Sequence, residues 1–204
     1  MLSSEERELR RTQVGASDVS KIMNFDNKSA LNLWNEKVED TEYEEFSNKY
    51  ITFGNLTEED CLRDYLKGSA YTLNERIEHP IIKDFVASTD AIKDGIIPIE
   101  NKGINARAWT KLDKPSKDYL IQVMAQISCL NAPYGEIVFN KAEEEDYEHP
   151  LLYEPHEDKR KVFIIDRDEQ LISNIESRVE YFLMCMRESI KPSESDYKKW
   201  RKTK

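Results

Sequence analysis

Apolar side chains recur every three or four positions in several parts of the chain, the spacing that places them on one face of an α-helix. This pattern predicts helices over residues 17–23, 29–40, 53–68, 118–131 and 168–190. Residues 53–68 show it most clearly, because an apolar stripe runs from Leu56 through Cys61 to Tyr65 and Gly68 is placed to end the helix.

Short apolar runs bounded by turn residues predict strands. Residues 84–89 and 95–102 flank a Lys-Asp-Gly turn and predict a β-hairpin, and residues 134–141 and 160–166 predict two further strands. A polar, basic loop over residues 103–117 separates the hairpin from the helix that follows it. This order of elements predicts a mixed α/β (α+β) domain, in which helices flank a central mixed β-sheet.

The composition fits one folded domain spanning residues 1–204, with 39% hydrophobic residues to form a core. No apolar stretch approaches the ~18 residues that span a bilayer, and the first residues lack the apolar segment of a signal peptide, so we expect no membrane partner. Cys61, Cys129 and Cys185 lie in apolar surroundings, which predicts buried thiols in a reducing cytoplasm and leaves too few cysteines for a four-cysteine cluster. The three histidines lack the spacing of zinc ligands.

The net charge of −10 argues mildly against a nucleic-acid partner, but the charges are unevenly distributed. Much of the excess acid lies in residues 141–159. Basic residues gather in the loop around Arg107, Lys111 and Lys114 and in the C-terminal segment KKWRKTK. An acidic protein with this distribution can still have a basic groove.

One acidic residue after the first hairpin strand and an acid-x-lysine triplet on the second are the main candidates for chemistry. If the two strands pair, Asp90 approaches Glu100, and Lys102 lies on the same face as Glu100 because side chains alternate along a strand. Two carboxylates suit a hard cation such as Mg²⁺, which activates a water and neutralises a phosphate. Lys102 could position or deprotonate that water, or stabilise the charge that develops on the phosphate. The pattern predicts phosphodiester hydrolysis, although such a triplet also arises by chance in a chain with 40 acidic residues.

Asp90 followed by the triplet Glu100-Asn101-Lys102 resembles the PD-(D/E)XK nuclease superfamily and, more narrowly, the lambda-type phage exonucleases and YqaJ-type viral recombinase nucleases. Four further stretches resemble motifs of that family in the same order: GASDVSKIM (15–23), FGNLTEED (53–60), YLIQVMAQISCL (119–130) and VFIIDRDEQLISNIESRVEYFL (162–183). The resemblance covers nearly the whole chain, and it implies the restriction-endonuclease-like core of that superfamily.

The resemblance implies a catalytic set. Asp90, Glu100 and Glu58 would be ligands of Mg²⁺, for which Mn²⁺ is a possible substitute. Lys102 would be the catalytic lysine, and Gln122 would help to orient the site. Without the resemblance, Glu58 could equally be a solvated carboxylate at a helix start, and Gln122 a polar flank of a core helix.

The resemblance also implies a binding site for the 5′-phosphate of DNA. Ser17 and either Arg10 or Arg11 would hold it, since a hydroxyl and a guanidinium suit a phosphate dianion. Ser17 has the alternative role of a helix N-cap. From the residues alone, Trp109 in the basic loop could stack a DNA base or wedge a duplex end, or simply anchor the loop.

Three positions depart from the family pattern. Ala91 stands where the family commonly has glycine, Gly103-Ile104 where it often has Cys-Pro, and Asn101 where the middle residue of the triplet is usually apolar. None of these changes removes a ligand, so they bear on substrate preference and rate rather than on the chemistry.

The resemblance implies a Mg²⁺-dependent 5′–3′ exonuclease that hydrolyses one strand of double-stranded DNA from its ends. It further implies homologous recombination of a phage or prophage beside a single-strand annealing protein, a homotrimer that encloses the DNA, and the cytoplasm of a bacterial host. Two alternatives stay open: an endonuclease of the same superfamily, of restriction or repair type, and a catalytically silent protein that binds DNA or a recombination partner.

Overall fold

The computed structural model describes residues 4–39 and 47–203, with side chains from residue 8 onward in the first helix. Its helices are α1 (Ser4–Thr12), α2 (Val19–Ile22), α3 (Lys28–Val38), α4 (Lys49–Tyr65), α5 (Ala106–Trp109), α6 (Lys117–Leu130), α7 (Glu144–Glu148), α8 (Glu169–Arg187) and α9 (Glu194–Arg201). Its strands are β1 (Val14–Gly15), β2 (Tyr71–Glu78), β3 (Phe85–Lys93), β4 (Ile97–Asn105), β5 (Tyr134–Ala142) and β6 (Arg160–Asp166). None of the described helices combines the length and apolar content that a membrane span requires.

The six strands form one mixed sheet. β2 runs antiparallel along one edge of β3, whose other edge carries β1 in parallel at its start and β4 antiparallel at its end. β4 continues beyond β3 and pairs in parallel with β5, which in turn pairs antiparallel with β6. β4 therefore lies between β3 and β5, and its second half is paired with β5 but no longer with β3.

Helices cover both faces of this sheet. Ile137 and Phe139 of β5 pack with α2, α3, α6 and α8 into the main core, whereas Val138 packs with Leu62 of α4 and with Leu66, the residue after that helix. Because neighbouring residues of a strand point to opposite faces, these two clusters lie on opposite sides of the sheet. The predicted mixed α/β architecture, a central sheet flanked by helices, is confirmed.

The elements predicted from periodicity are present with shifted ends. The helix predicted over residues 17–23 is a 3₁₀ turn, Ala16–Asp18, followed by the single turn of α2. α4 begins four residues before the predicted start, because the Asn48 side chain accepts the backbone N–H groups of Tyr50 and Ile51 at 2.9 and 3.0 Å and caps the helix. α3 ends at Val38, and the predicted end at residue 40 lies outside the described residues.

Several elements were not predicted from the sequence. β2 carried a signal, because Leu73 and Ile77 alternate with polar residues and are half-buried against β3. The helices α1, α7 and α9 are short and mostly charged, and tertiary contacts hold them. α9 docks through Tyr197 and Trp200, whose rings each lie 5.5 Å from the ring of Tyr181, so most of the basic C-terminal segment belongs to a packed helix.

The three cysteines are buried and unpaired, as predicted. Burial raises the pKa of Cys61 and Cys129 to about 12 and that of Cys185 to about 11. These thiols are therefore protonated at neutral pH and behave as small apolar side chains.

Candidate active site

The site lies where the β3–β4 hairpin opens. Backbone pairing between the two strands ends at Ala91 and Ile99, so Asp90 and Glu100 are the first residues on either side of the opening. The Asp90 carboxylate accepts the backbone N–H of Asn101 at 2.7 Å, which fixes it beside β4. The opening thus brings two carboxylates together between two inner strands of the sheet.

Glu100 is only 2% exposed, and three side chains contact its two oxygens. Gln122 Nε2 donates to Oε1 and Gln126 Nε2 donates to Oε2, each at 2.6 Å, and the Lys102 ammonium pairs with Oε1. The two glutamines reach the same carboxylate because they are four residues apart on α6 and share one face of the helix. Gln126 also donates to the carbonyl of Ser88 at 3.2 Å, which links α6 to β3. Glu100 is therefore held in one orientation.

Three carboxylates influence one another in this site. Burial is the main cause that raises the pKa of Asp90 well above its usual range, and the charges of Glu100 and Glu58 raise it further. Burial also raises the pKa of Glu58, which lies on α4 close enough to respond to the charges of Lys102 and Glu100. For Lys102, burial lowers the pKa, but Glu100 and Asp90 outweigh this and raise it overall. The site therefore contains more negative charge than its one ammonium balances.

This arrangement fits a divalent cation. Carboxylate oxygens are the ligands that Mg²⁺ prefers, and a cation beside Asp90 and Glu100 would offset the repulsion that raises the pKa of Asp90. Within residues 4–39 and 47–203, no three His, Cys, Asp or Glu side chains are placed to surround an ion, and the role of Glu58 as a further metal ligand stays a prediction. A site of two carboxylates suits Mg²⁺, which usually keeps several of its waters.

Of the residues predicted to hold a 5′-phosphate, Ser17 lies on a turn beside this site, and Arg10 and Arg11 precede it in the chain. Ser17 is exposed in the 3₁₀ turn, which packs against α6 and β3, the elements that carry Gln122 and Asp90. It is not the N-cap residue of α2, because that helix begins two residues later. Arg10 and Arg11 are exposed in the last turn of α1, just before this turn.

Trp109 lies at the far end of β4, in α5. Its ring is half-buried against the main core, and the Lys161 ammonium lies 4.6 Å from the ring centroid. Lys161 also donates to the carbonyl groups of Trp109 and Leu112, each at 3.1 Å. This geometry favours the role of a loop anchor, and contact between Trp109 and DNA stays a prediction.

The sequence analysis missed two residues of the site. Gln126 carried a signal, since it follows Gln122 by one helical turn. Asn140 carried none, because its role depends on the alignment of β5 with β4. Its Nδ2 donates to the side-chain oxygen of Asn101 at 2.7 Å. This bond holds the side chain of Asn101, the middle residue of the triplet, away from the carboxylates.

Comparisons with known proteins agree with this geometry. The profile of the YqaJ-like viral recombinase domain matches residues 7–133. Among solved structures, an alkaline exonuclease (LHK-Exo) from Laribacter hongkongensis is 25% identical, with a TM-score of 0.73 over 98% of this chain and 100% of that chain. LHK-Exo in complex with dAMP is 26% identical, with a TM-score of 0.72 over 99% of this chain and 100% of that chain.

A third similar structure, a phage related exonuclease from Haemophilus somnus 129PT, is 21% identical, with a TM-score of 0.62 over 87% of this chain and 96% of that chain. At this identity the likeness concerns the fold alone. No curated protein sequence matches the chain.

Proposed function

The chain belongs to the YqaJ-like viral recombinase family and is a nuclease of the phage exonuclease type, and we propose that it uses Mg²⁺ to digest one strand of duplex DNA from the 5′ end. Two observations support the choice of an exonuclease. The similar alkaline exonuclease matches almost the full length of both chains. Its complex with dAMP shows that this relative binds a nucleotide.

The observation that carries the proposal is the meeting of Asp90, Glu100 and Lys102 at the opening of the hairpin. These three residues lie on β3 and β4, whose backbone pairing ends at the residues next to Asp90 and Glu100. A buried excess of carboxylate is costly unless a cation or a proton compensates it. Such a site is better explained by metal-dependent chemistry than by a contribution to stability.

Asp90 and Glu100 would hold the Mg²⁺ ion, with Mn²⁺ as a possible substitute. When bound, the ion neutralises phosphate charge and lowers the pKa of a water. Gln122 and Gln126 fix the orientation of the Glu100 carboxylate through the bonds at 2.6 Å, as residues behind a metal ligand would. Lys102 lies beside Glu100 with an ammonium that can orient the water and stabilise the charge that develops on the phosphate.

The choice of a 5′ end rests on Ser17 and on Arg10 or Arg11. All three side chains are exposed, and the turn that carries Ser17 packs against α6 and β3. A guanidinium with a hydroxyl is a good set of donors for a terminal phosphate. We further propose a role in phage or prophage recombination beside a single-strand annealing protein, a homotrimer around the DNA, and action in the cytoplasm of a bacterial host. Family membership supports these assignments.

A panel of DNA substrates tests the proposal. The panel contains linear duplexes with 5′-phosphate or 5′-hydroxyl ends and covalently closed circles, each incubated with Mg²⁺ or with a chelator. We expect digestion of linear duplex only with Mg²⁺, release of nucleotides from the 5′-labelled strand first, and a preference for 5′-phosphate ends. Rapid cutting of closed circles would instead indicate an endonuclease, and DNA binding without cutting would indicate a silent protein.

Substitutions test the catalytic set in the same panel. We expect Glu100→Ala and Lys102→Ala to abolish digestion while the protein stays folded, as measured by circular dichroism. Glu59→Ala is the matched control, because Glu59 is an exposed carboxylate on α4 that pairs with Arg63. Full activity in a pure Glu100→Ala or Lys102→Ala protein would contradict the assignment.

A further inference from the structure

Lys37, in the last turn of α3, has an ammonium that is almost completely enclosed. The side chain is 9% exposed, and its Nζ lies 3.1 Å from Asp18 Oδ2. It also donates to the carbonyl oxygens of Arg10 and Gln13 at 2.9 and 2.8 Å. The Lys37 ammonium therefore combines two hydrogen bonds and one ion pair on one short stretch of chain.

Val14 and Ala16 of this stretch are buried in the core, but its first part, the end of α1, is held differently. Every described side chain of α1, from Glu8 to Thr12, is exposed, so apolar burial of these residues does not fix the helix. The carbonyl of Arg10 is one of the last four backbone carbonyl groups of α1, and such groups have no hydrogen-bond donor within their own helix. Lys37 supplies both a donor and a positive charge at this C-terminal end, where the helix dipole favours a cation.

Lys37 also reaches the far side of the same stretch through Asp18. The oxygen of Asp18 that contacts Lys37 accepts the backbone N–H of Gly15 at 3.2 Å. Ser17 lies between these two residues. Through one nitrogen atom, Lys37 therefore connects the end of α1, the residue before β1 and the turn that carries Ser17.

We propose that Lys37 is a positioning residue for recognition of the DNA 5′-phosphate. Its ammonium sets the distance between Arg10 and Arg11 on one side and Ser17 on the other, although it touches no DNA itself. This inference rests on the proposed function, which assigns the 5′-phosphate to those residues. A buried ammonium contributes less to stability than an apolar side chain of similar size often would, which is consistent with a geometric role.

The experiment compares Lys37→Met with Lys21→Met. Lys21 is the matched control, because it also pairs with Asp18, at 3.6 Å, but has 44% of its side chain exposed. Initial rates are measured with Mg²⁺ on two linear duplexes of one sequence, one with 5′-phosphate and one with 5′-hydroxyl ends. We expect Lys37→Met to lower the ratio of the two rates by about tenfold, the effect of losing about one charge-assisted hydrogen bond. The rate on 5′-hydroxyl DNA and the ratio for Lys21→Met should stay close to wild type.

Hydrogen exchange provides a second readout. In Lys37→Met we expect faster exchange of the backbone amides of residues 9–18, with no change in the strands β3 and β4. If Lys37→Met does not fold, Lys37→Arg takes its place. Its forked guanidinium cannot put one nitrogen on three converging acceptors, so it should lower the ratio as well.

The outcomes separate this inference from the function on which it rests. If the wild-type protein prefers 5′-phosphate ends and folded Lys37→Met keeps the same ratio, the inference is wrong and the proposed function stands. Equal loss of rate on both substrates would show a general structural role and would also overturn it. If the wild-type protein shows no preference between the ends, the proposed 5′-phosphate site fails, and the role of Lys37 fails with it.

Discussion

Replacing Gln126 with methionine tests how far the site depends on a residue that lies behind its metal ligands. Methionine is unbranched and of similar length, so it fills the same space but donates no hydrogen bond. The variant loses the bond to Glu100 Oε2 at 2.6 Å and the bond to the Ser88 carbonyl at 3.2 Å. Because Gln126 is fully buried, water cannot easily replace these donors.

Two opposing effects set the change in stability. A lost hydrogen bond to a charged group costs about 1.5–3 kcal/mol, and one to a neutral carbonyl about 0.5–1.5 kcal/mol. The Oε1 atom of Gln126, however, is buried without a hydrogen-bond partner, and removing such an acceptor regains about 1–3 kcal/mol. We therefore expect Gln126→Met to lower the free energy of unfolding by only about 1–2 kcal/mol, which leaves a domain of ordinary stability folded.

The effect on activity should be larger. Residues that orient metal ligands typically contribute about 10–100-fold in metal affinity or activity. We expect the Mg²⁺ concentration for half-maximal digestion of linear duplex to rise by about that factor, since Glu100 keeps only Gln122 and Lys102 as partners. Binding of Mg²⁺ measured by calorimetry should weaken in parallel, which separates metal affinity from catalysis.

Ser128→Ala is the matched control for Gln126→Met. Ser128 is also a buried polar residue of α6, but its partners are Glu176, at 2.7 Å, and His79. We expect a similar loss of stability in urea unfolding and no change in the Mg²⁺ requirement. Wild-type Mg²⁺ dependence in Gln126→Met, or the same change in Ser128→Ala, would refute the argument that Gln126 acts through Glu100.

Two further predictions concern packing and charge. An alanine at Gly135 would place its Cβ 2.7 Å from Val123 Cγ1, so Gly135→Ala should lose about 1–3 kcal/mol in urea unfolding. Gly54→Ala on α4, where the added Cβ meets no atom within 4 Å beyond the adjacent residues and backbone of its own helix, should gain about 0.5–1 kcal/mol. A Gly135→Ala protein more stable than Gly54→Ala would contradict the packing of α6 on β5. Because the pKa of Asp90 is raised in the folded protein, its ionised form opposes folding near neutral pH. Asp90→Asn should therefore raise the Tm of the metal-free protein and abolish digestion, and a lower Tm would argue against the repulsion.

Parts of the site could be predicted from the sequence because they depend on local periodicity. Alternation along a strand places Glu100 and Lys102 on one face, and a short hairpin brings Asp90 near them. The structure confirms their proximity. Local periodicity does not show that the hairpin separates at these residues, because it does not fix where the backbone pairing of β3 with β4 ends.

The sequence by itself determined the helices and strands with a strong period, the buried cysteines and the candidate acids, since these follow from the order of side chains along one element. Only the tertiary structure decided which side chains meet from different elements. Gln126 reaches Glu100 across 26 positions of sequence, and Lys37 reaches Gln13 across 24. Such contacts depend on how α3 and α6 pack on their neighbours, and packing is a property of the whole fold that no single periodic pattern encodes.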